Sequence, residues 1–245
     1  MTIKFLKLKE HKPAYTSWFF YGLTRSGKTT AAATFPHPLF IQPKGEGSID
    51  SLSGHSTAQA VTVHTGLEML ELLDHLTAKA DEARPFFAKD NPKGDEIFPW
   101  QTVVVESLTH YVDILEEGLT NGQKVHMDRQ KWGKVSQHLK RVHSQLSNLP
   151  VHVIYISLCK EVHNEQGKLV KAEPYLSGSS SVKLPSSCGA LVYFERIEGN
   201  PRDKFVAHLG SKGVYTAGAR VKALEGLPRK LEPFQWSEIA KKLGY

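Results

Sequence analysis

Gly22-Leu23-Thr24-Arg25-Ser26-Gly27-Lys28-Thr29 has the spacing G-x-x-x-x-G-K-T. It stands between a bulky run, Trp18-Phe19-Phe20-Tyr21, and an Ala/Thr run closed by Pro36. A strand, a glycine-containing turn and a helix in that order make a phosphate-binding loop, which commits the surrounding chain to an α/β arrangement. Gly22 and Gly27 are expected to permit left-handed turns that aim successive backbone N–H groups inward, and the helix N-terminus adds partial positive charge. Thr24, Arg25, Ser26 and Thr30 complete the cradle. Lys28 is placed to reach the β- and γ-phosphates of a bound triphosphate, and the Thr29 hydroxyl to complete the shell of a magnesium ion.

The rest of the chain alternates in the manner of a parallel sheet wrapped by helices. Strands are expected at 17–21, 38–42, 60–64, 102–106 and 151–158, and helices at 28–34, 67–82, 108–119 and 131–146. Val103-Val104-Val105 and Val151-His152-Val153-Ile154-Tyr155-Ile156 are nearly continuous apolar runs, as in strands buried on both faces. After Pro185, 191–197 and 205–209 alternate more like antiparallel strands around the turn Glu198-Gly199-Asn200-Pro201, and an amphipathic helix over 236–243 closes the pattern. Residues 84–100, with three prolines, read as a surface excursion, and 160–183 as a mobile loop at the edge where such sheets bind ligands. A chain of 245 residues with this pattern reads as one domain: an N-terminal extension over 1–14, a core over 15–160, the loop over 161–183 and C-terminal strands and helix over 184–245.

Magnesium beside Thr29 calls for a carboxylate at the end of a neighbouring apolar strand. Glu106 ends Thr102-Val103-Val104-Val105, and Ser107 behind it can cap the following helix. Hydrolysis needs a further group that orients water, and Glu46 is the acid within Phe40-Ile41-Gln42-Pro43-Lys44-Gly45-Glu46-Gly47. Thr109 and His110 lie close behind Glu106 and carry no diagnostic pattern.

Net charge of +6 with neutral histidines favours an anionic partner, nucleic acid, or else a basic solvated surface. Single-stranded DNA is met by cations interleaved with flat side chains. Two segments qualify: Lys124, Arg129 and Lys131 with Trp132, and Lys168, Lys171, Tyr175 and Lys183. Trp132 reads equally as a core residue. Lys134, His138, Lys140 and Arg141 read as a solvated helix face first and a DNA face second. His138 and His143 are five apart with no cysteine near, so no zinc spacing appears. The two cysteines, Cys159 and Cys188, form no framework, no apolar run approaches the roughly 20 residues of a membrane helix, and Met1-Thr2-Ile3-Lys4 opens no signal peptide. A soluble protein of a reducing cytoplasm, that of a bacterial host if phage-encoded, is expected.

An ordered set of segments resembles the RecA-like phage ATP-binding proteins that include Sak-type single-strand annealing recombinases. The set comprises Phe20-Tyr21-Gly22 through Thr30, Ala31-Ala32-Ala33-Thr34-Phe35-Pro36 with Pro38-Leu39-Phe40-Ile41, and Val105-Glu106-Ser107-Leu108-Thr109. It continues through Trp132-Gly133-Lys134, Leu149-Pro150-Val151-His152-Val153-Ile154, Pro174-Tyr175 and Leu184-Pro185. The resemblance implies a RecA-like P-loop NTPase fold, with a mostly parallel central sheet flanked by helices and a C-terminal antiparallel extension. It also implies ATP and Mg2+ as ligands, single-stranded DNA and a phage single-stranded-DNA-binding protein as partners, no membrane, and assembly into rings or filaments. It identifies the two cationic segments with the loops that line the central axis. Two departures stand out. Gln42 and Lys44 occupy positions where the family carries acids, with Glu46 displaced by two residues; and Tyr215-Thr216-Ala217-Gly218-Ala219-Arg220 keeps an arginine but has Gly218 for a lysine. Arg220 is thus implied as a finger reaching a neighbour's γ-phosphate.

Three functions fit these residues: an ATP-dependent recombination protein, a nucleotide-gated DNA-binding module with little turnover, and a small-molecule or nucleotide kinase. The third needs an arginine-rich lid, which the sequence does not display.

Overall fold

The computed structural model describes residues 15–243 apart from 56, 88–90, 121, 123–126, 177–179, 221–223 and 225. The N-terminal extension over 1–14, Lys124 and the centre of the expected mobile loop at Gly178-Ser179 lie outside the described residues.

Strands β1 (Ser17–Gly22), β2 (Pro38–Pro43), β3 (Gln59–Val63), β4 (Thr102–Val105), β5 (His152–Ser157) and β8 (Ala190–Ile197) form the parallel part of one sheet. Strands β9 (Lys204–His208) and β11 (Lys230–Leu231) extend it antiparallel, giving the order β11-β9-β8-β1-β5-β4-β2-β3, and the short β10 (Gly218–Ala219) pairs with β8. This is the α/β class expected from the sequence. The strand over 191–197 is a correction to the antiparallel reading: β8 pairs parallel with β1, Trp18 opposite Ala190 through Gly22 opposite Phe194. Only its other edge meets antiparallel neighbours.

Alternation along β1 assigns its side chains to two layers, because successive Cβ atoms leave opposite faces. Phe19 and Tyr21 join Ile41, Val103, Val105, Val153 and Tyr155 under helices α2 (Gly66–Phe87), α4 (Leu108–Thr120) and α5 (Arg129–Asn148). Trp18 and Phe20 join Phe40, Val104, Ile154 and Ile156 under α1 (Lys28–Ala33) and α7 (Trp236–Leu243). Helix α5 starts where the Asp128 carboxylate accepts the Lys131 N–H at 2.8 Å, and it buries Val135, Leu139, Val142 and Leu146 at helical spacing. Trp132 packs against the same core.

Two expected loops contain regular structure. Helix α2 continues over Pro85 to Phe87, α3 (Lys93–Ile97) follows, and Phe98 is buried against Trp100, so 84–100 is not a pure surface excursion. The segment 160–183 holds an antiparallel hairpin, β6 (Cys159–His163) and β7 (Leu169–Pro174), and the start of α6 (Ser180–Ser187). Its turn is closed by the Asn164 side chain, which accepts the Gln166 and Lys168 N–H groups, with Gly167 at φ 74°.

His152 opens β5 at the edge away from the phosphate loop. It is 3% exposed, accepts the Thr16 N–H at Nδ1 (3.1 Å), and lies with its ring centroid 4.7 Å from that of Trp236. Burial disfavours the imidazolium and pushes its pKa from 6.5 down to about 4. The unfolded chain takes up this proton first, so stability is intact above pH 6.5 and falls as pH drops towards 4, by roughly 3 kcal/mol for a group so buried. Urea unfolding at pH 7 and pH 4 should therefore show His152→Gln losing less stability on acidification than the parent, by about that amount.

Candidate functional site

The parallel strands place Gly22, Gln42, Glu106, Ser157 and Phe194 at one edge of the sheet, because Gly22 pairs with Phe194, Tyr21 with Ser157, and Ile41 with Val105. Above that edge opens a cleft of about 670 Å³ lined by Thr24, Arg25, Ser26, Gly27, Lys28, Thr29 and Thr30, a size suited to a small ligand. Gly27 adopts φ 90°, as a left-handed turn requires, and Arg25 takes the other positive φ of the loop, 61°. Gly22 serves differently from the left-handed role expected of it. It lies outside the left-handed region, and a Cβ there would stand 2.2 Å from the Phe194 carbonyl oxygen. Its lack of a side chain lets β1 close on β8.

Lys28 is 6% exposed and turns back onto its own loop, where Nζ donates to the carbonyls of Gly22 (3.0 Å) and Leu23 (2.7 Å) and to Ser26 Oγ (3.3 Å). Burial pushes its pKa down, while the Glu106 carboxylate pulls it up. Glu106, 4% exposed, is pushed up by burial; Lys28 pulls it down, Glu46 pushes it up, and the Thr29 and Ser48 hydroxyls pull it down. The two buried groups therefore share one neutralising interaction, which a phosphate or a cation would redistribute.

The residues fit a divalent cation. Glu106 Oε2 is buried without a hydrogen-bond partner, and Thr29 adds a hard hydroxyl oxygen beside it. Among the described residues no group of three or more His, Cys, Asp or Glu could hold a metal alone, so phosphate oxygens and water would have to complete the shell, the usual manner of magnesium.

Glu46 is brought into the same cleft. Its Oε2 lies 2.6 Å from His110 Nδ1, which also lies 2.8 Å from Ser107 Oγ, and its backbone carbonyl accepts from the Gln42 side chain. The amide at position 42 thus folds the loop so that Glu46 faces the phosphate loop. Thr109 serves a different junction: its Oγ1 accepts the Leu158 N–H at 3.0 Å and donates to the Tyr175 carbonyl at 3.2 Å, pinning the root of the hairpin behind Glu106. The far wall of the cleft is mostly apolar, formed by Phe194, Phe205, Pro233 and Phe234, with Gln235 at its end. Sequence reasoning missed this wall because it comes from β8, β9 and the turn before α7, far along the chain, with no motif to mark it.

A family model for the AAA domain matches residues 14–221. The chain belongs to the AAA domain family. No curated protein matches it. The family is one of P-loop nucleotide-binding domains, and the phosphate loop of this chain lines the cleft. The other candidates lie outside that cleft. Arg220 of the AAA domain is exposed and donates its N–H to the Gly189 carbonyl, at the sheet edge opposite Gly22. Arg129 is exposed at the start of α5, with Lys131 half-buried beside it; Lys168 is exposed after the hairpin turn, and Lys183 on α6. Lys171 pairs with Glu173 at 2.5 Å, and Tyr175 stands exposed at the hairpin root. The hairpin carries Lys160, Lys168 and Lys171 against Glu161, Glu165 and Glu173, so it is neutral overall, whereas α5 carries five cations and no acid. Among the described residues of the AAA domain, no helix is long and apolar enough to cross a membrane.

Proposed function

We propose that this AAA domain binds ATP with magnesium, hydrolyses it, and acts on single-stranded DNA as a recombination protein of the RecA-like phage type. The observation that carries the catalytic half is the convergence of Lys28, Thr29, Glu106 and Glu46 on one cleft. Thr29 and Glu106 would hold the magnesium, which supplies charge neutralisation at the β- and γ-phosphates. Lys28 exchanges its loop carbonyls for phosphate oxygens, and Glu46 orients water. The base lies along the apolar wall, with Phe205, 41% exposed and packed over Gly27, as its stacking surface. Glu46 in the cleft favours turnover over a purely nucleotide-gated module. Arg25 is the one arginine among the described cleft-lining residues, which speaks against a kinase lid.

The DNA half is supported by the net charge of +6 and by α5, whose Arg129, Lys134, Lys140 and Arg141 are all exposed. The hairpin follows Leu158 of the cleft directly, so strand binding and nucleotide state can reach each other through Thr109. Arg220 lies far from its own cleft and would act on a neighbour's, in a ring or filament. Adding single-stranded DNA should raise ATP turnover, and DNA affinity should fall steeply with salt. Turnover indifferent to DNA, with affinity flat across salt, would contradict the assignment.

A further inference from the structure

We propose that His110 is a positioning residue that aims the water-orienting carboxylate of Glu46, an inference that rests on the ATPase reading. The loop after β2 turns at Gly45, φ 88°, where the Lys44 N–H donates to the Val63 carbonyl at 2.9 Å and the Glu46 N–H to the Pro43 carbonyl at 3.2 Å. Two side chains add to these backbone bonds. Gln42 holds the backbone through the Glu46 carbonyl, and His110 holds the side chain at 2.6 Å. As a result the Glu46 side chain is only 14% exposed, although it sits in a loop flanked by glycines.

Both contacts come from elements that flank Glu106: β2 pairs with β4, and α4 follows it. Gln42 is in β2, one residue after Ile41, whose carbonyl accepts the Glu106 N–H at 3.0 Å. His110 is in the first turn of α4, four residues after Glu106. Its backbone N–H donates to Ser107 Oγ at 3.3 Å, which anchors that turn. The aim of Glu46 is therefore referred to the same strand ends that place Glu106.

The imidazole proton decides the contact. With the proton on Nδ1, the ring donates to Glu46 and the Ser107 hydroxyl is an acceptor beside it; with Nδ1 bare, Ser107 donates to the ring and Glu46 loses its donor. The Nδ1–H tautomer thus holds one Glu46 oxygen and leaves the other to accept from water. In the step served, the water oxygen forms a bond to the γ-phosphorus as the bond from phosphorus to the bridging oxygen breaks. The electron pair leaves with ADP and one water proton passes to Glu46, giving ADP, phosphate and a proton. His110 acts through Glu46, so its effect is on turnover and not on grip.

The test is steady-state hydrolysis and ATP affinity for His110→Ala, His110→Asn, Glu46→Gln and the double variant His110→Ala/Glu46→Gln, with melting temperatures for each. His110→Ala should lower kcat about 10- to 100-fold, within the range of a mispositioned proton acceptor, with ATP affinity within about twofold of the parent. His110→Asn, whose amide N–H stands near the place of Nδ1–H, should recover most of that loss. Adding His110→Ala to Glu46→Gln should change kcat by less than about twofold, because nothing is left to aim. A parental kcat in His110→Ala, a loss of affinity as large as the loss of kcat, or effects of the two substitutions that multiply would overturn the proposal while leaving ATP binding by the parent intact. A parent that takes up no ATP would overturn the ATPase reading itself.

Discussion

Gly22→Ala is expected to lower the melting temperature by roughly 6–12 °C, the shift that about 3 kcal/mol produces in a chain of this length. The added Cβ meets the Phe194 carbonyl oxygen at 2.2 Å and Ser26 Oγ at 2.9 Å. The first contact is with backbone, so no rotamer change relieves it, and β8 must shift away from β1. That shift reaches the cleft twice: Phe194 lines it, and Ser26 Oγ accepts from Lys28. Thermal unfolding followed by circular dichroism checks the stability. An unchanged melting temperature would mean that β1 and β8 are not packed in the register that pairs Gly22 with Phe194.

The second large effect is on binding. Lys28→Ala should weaken nucleoside triphosphate affinity by at least about 100-fold, the loss of a desolvated charge-assisted contact of roughly 3 kcal/mol. In the free protein Lys28 satisfies two loop carbonyls, so the variant also leaves those oxygens to water. It further deprives Glu106 of the cation that holds its carboxyl down, and burial then drives that carboxyl further towards its neutral form. Cation binding should therefore weaken along with nucleotide binding, a joint loss visible by calorimetry with and without magnesium.

Local chemistry made the centre of the site legible. The phosphate loop is eight consecutive residues, and Glu106 ends an apolar run, so both follow from patterns shorter than one element. The layering was legible for the same reason: Trp18 and Phe20 against Phe19 and Tyr21 is a period of two. What escaped depends on long-range packing. The reason for glycine at position 22 is a carbonyl about 170 residues away. The apolar wall joins Phe205 to Pro233 and Phe234 only after β9 and β11 have added to the sheet. The hairpin was hidden because its strands, Cys159–His163 and Leu169–Pro174, fully bury only Ala172, so no hydrophobic alternation announces them; Asn164 and Gly167 were the available signal. Helix α2 crosses Pro85 because Ala80 and Ala83 are already buried against the core, and packing outweighs the breaker.

In the proposed function a triphosphate is held by the backbone and cation of the loop from Gly22 to Thr29, with the base on the far wall. Calorimetric titration of the unmodified protein with ATP, ADP and AMP in magnesium tests this most directly. The loop grips the β-phosphate and beyond, so ATP and ADP should bind and AMP should bind at least about 100-fold more weakly. AMP binding as tight as ATP, or no heat with any of the three, would contradict it.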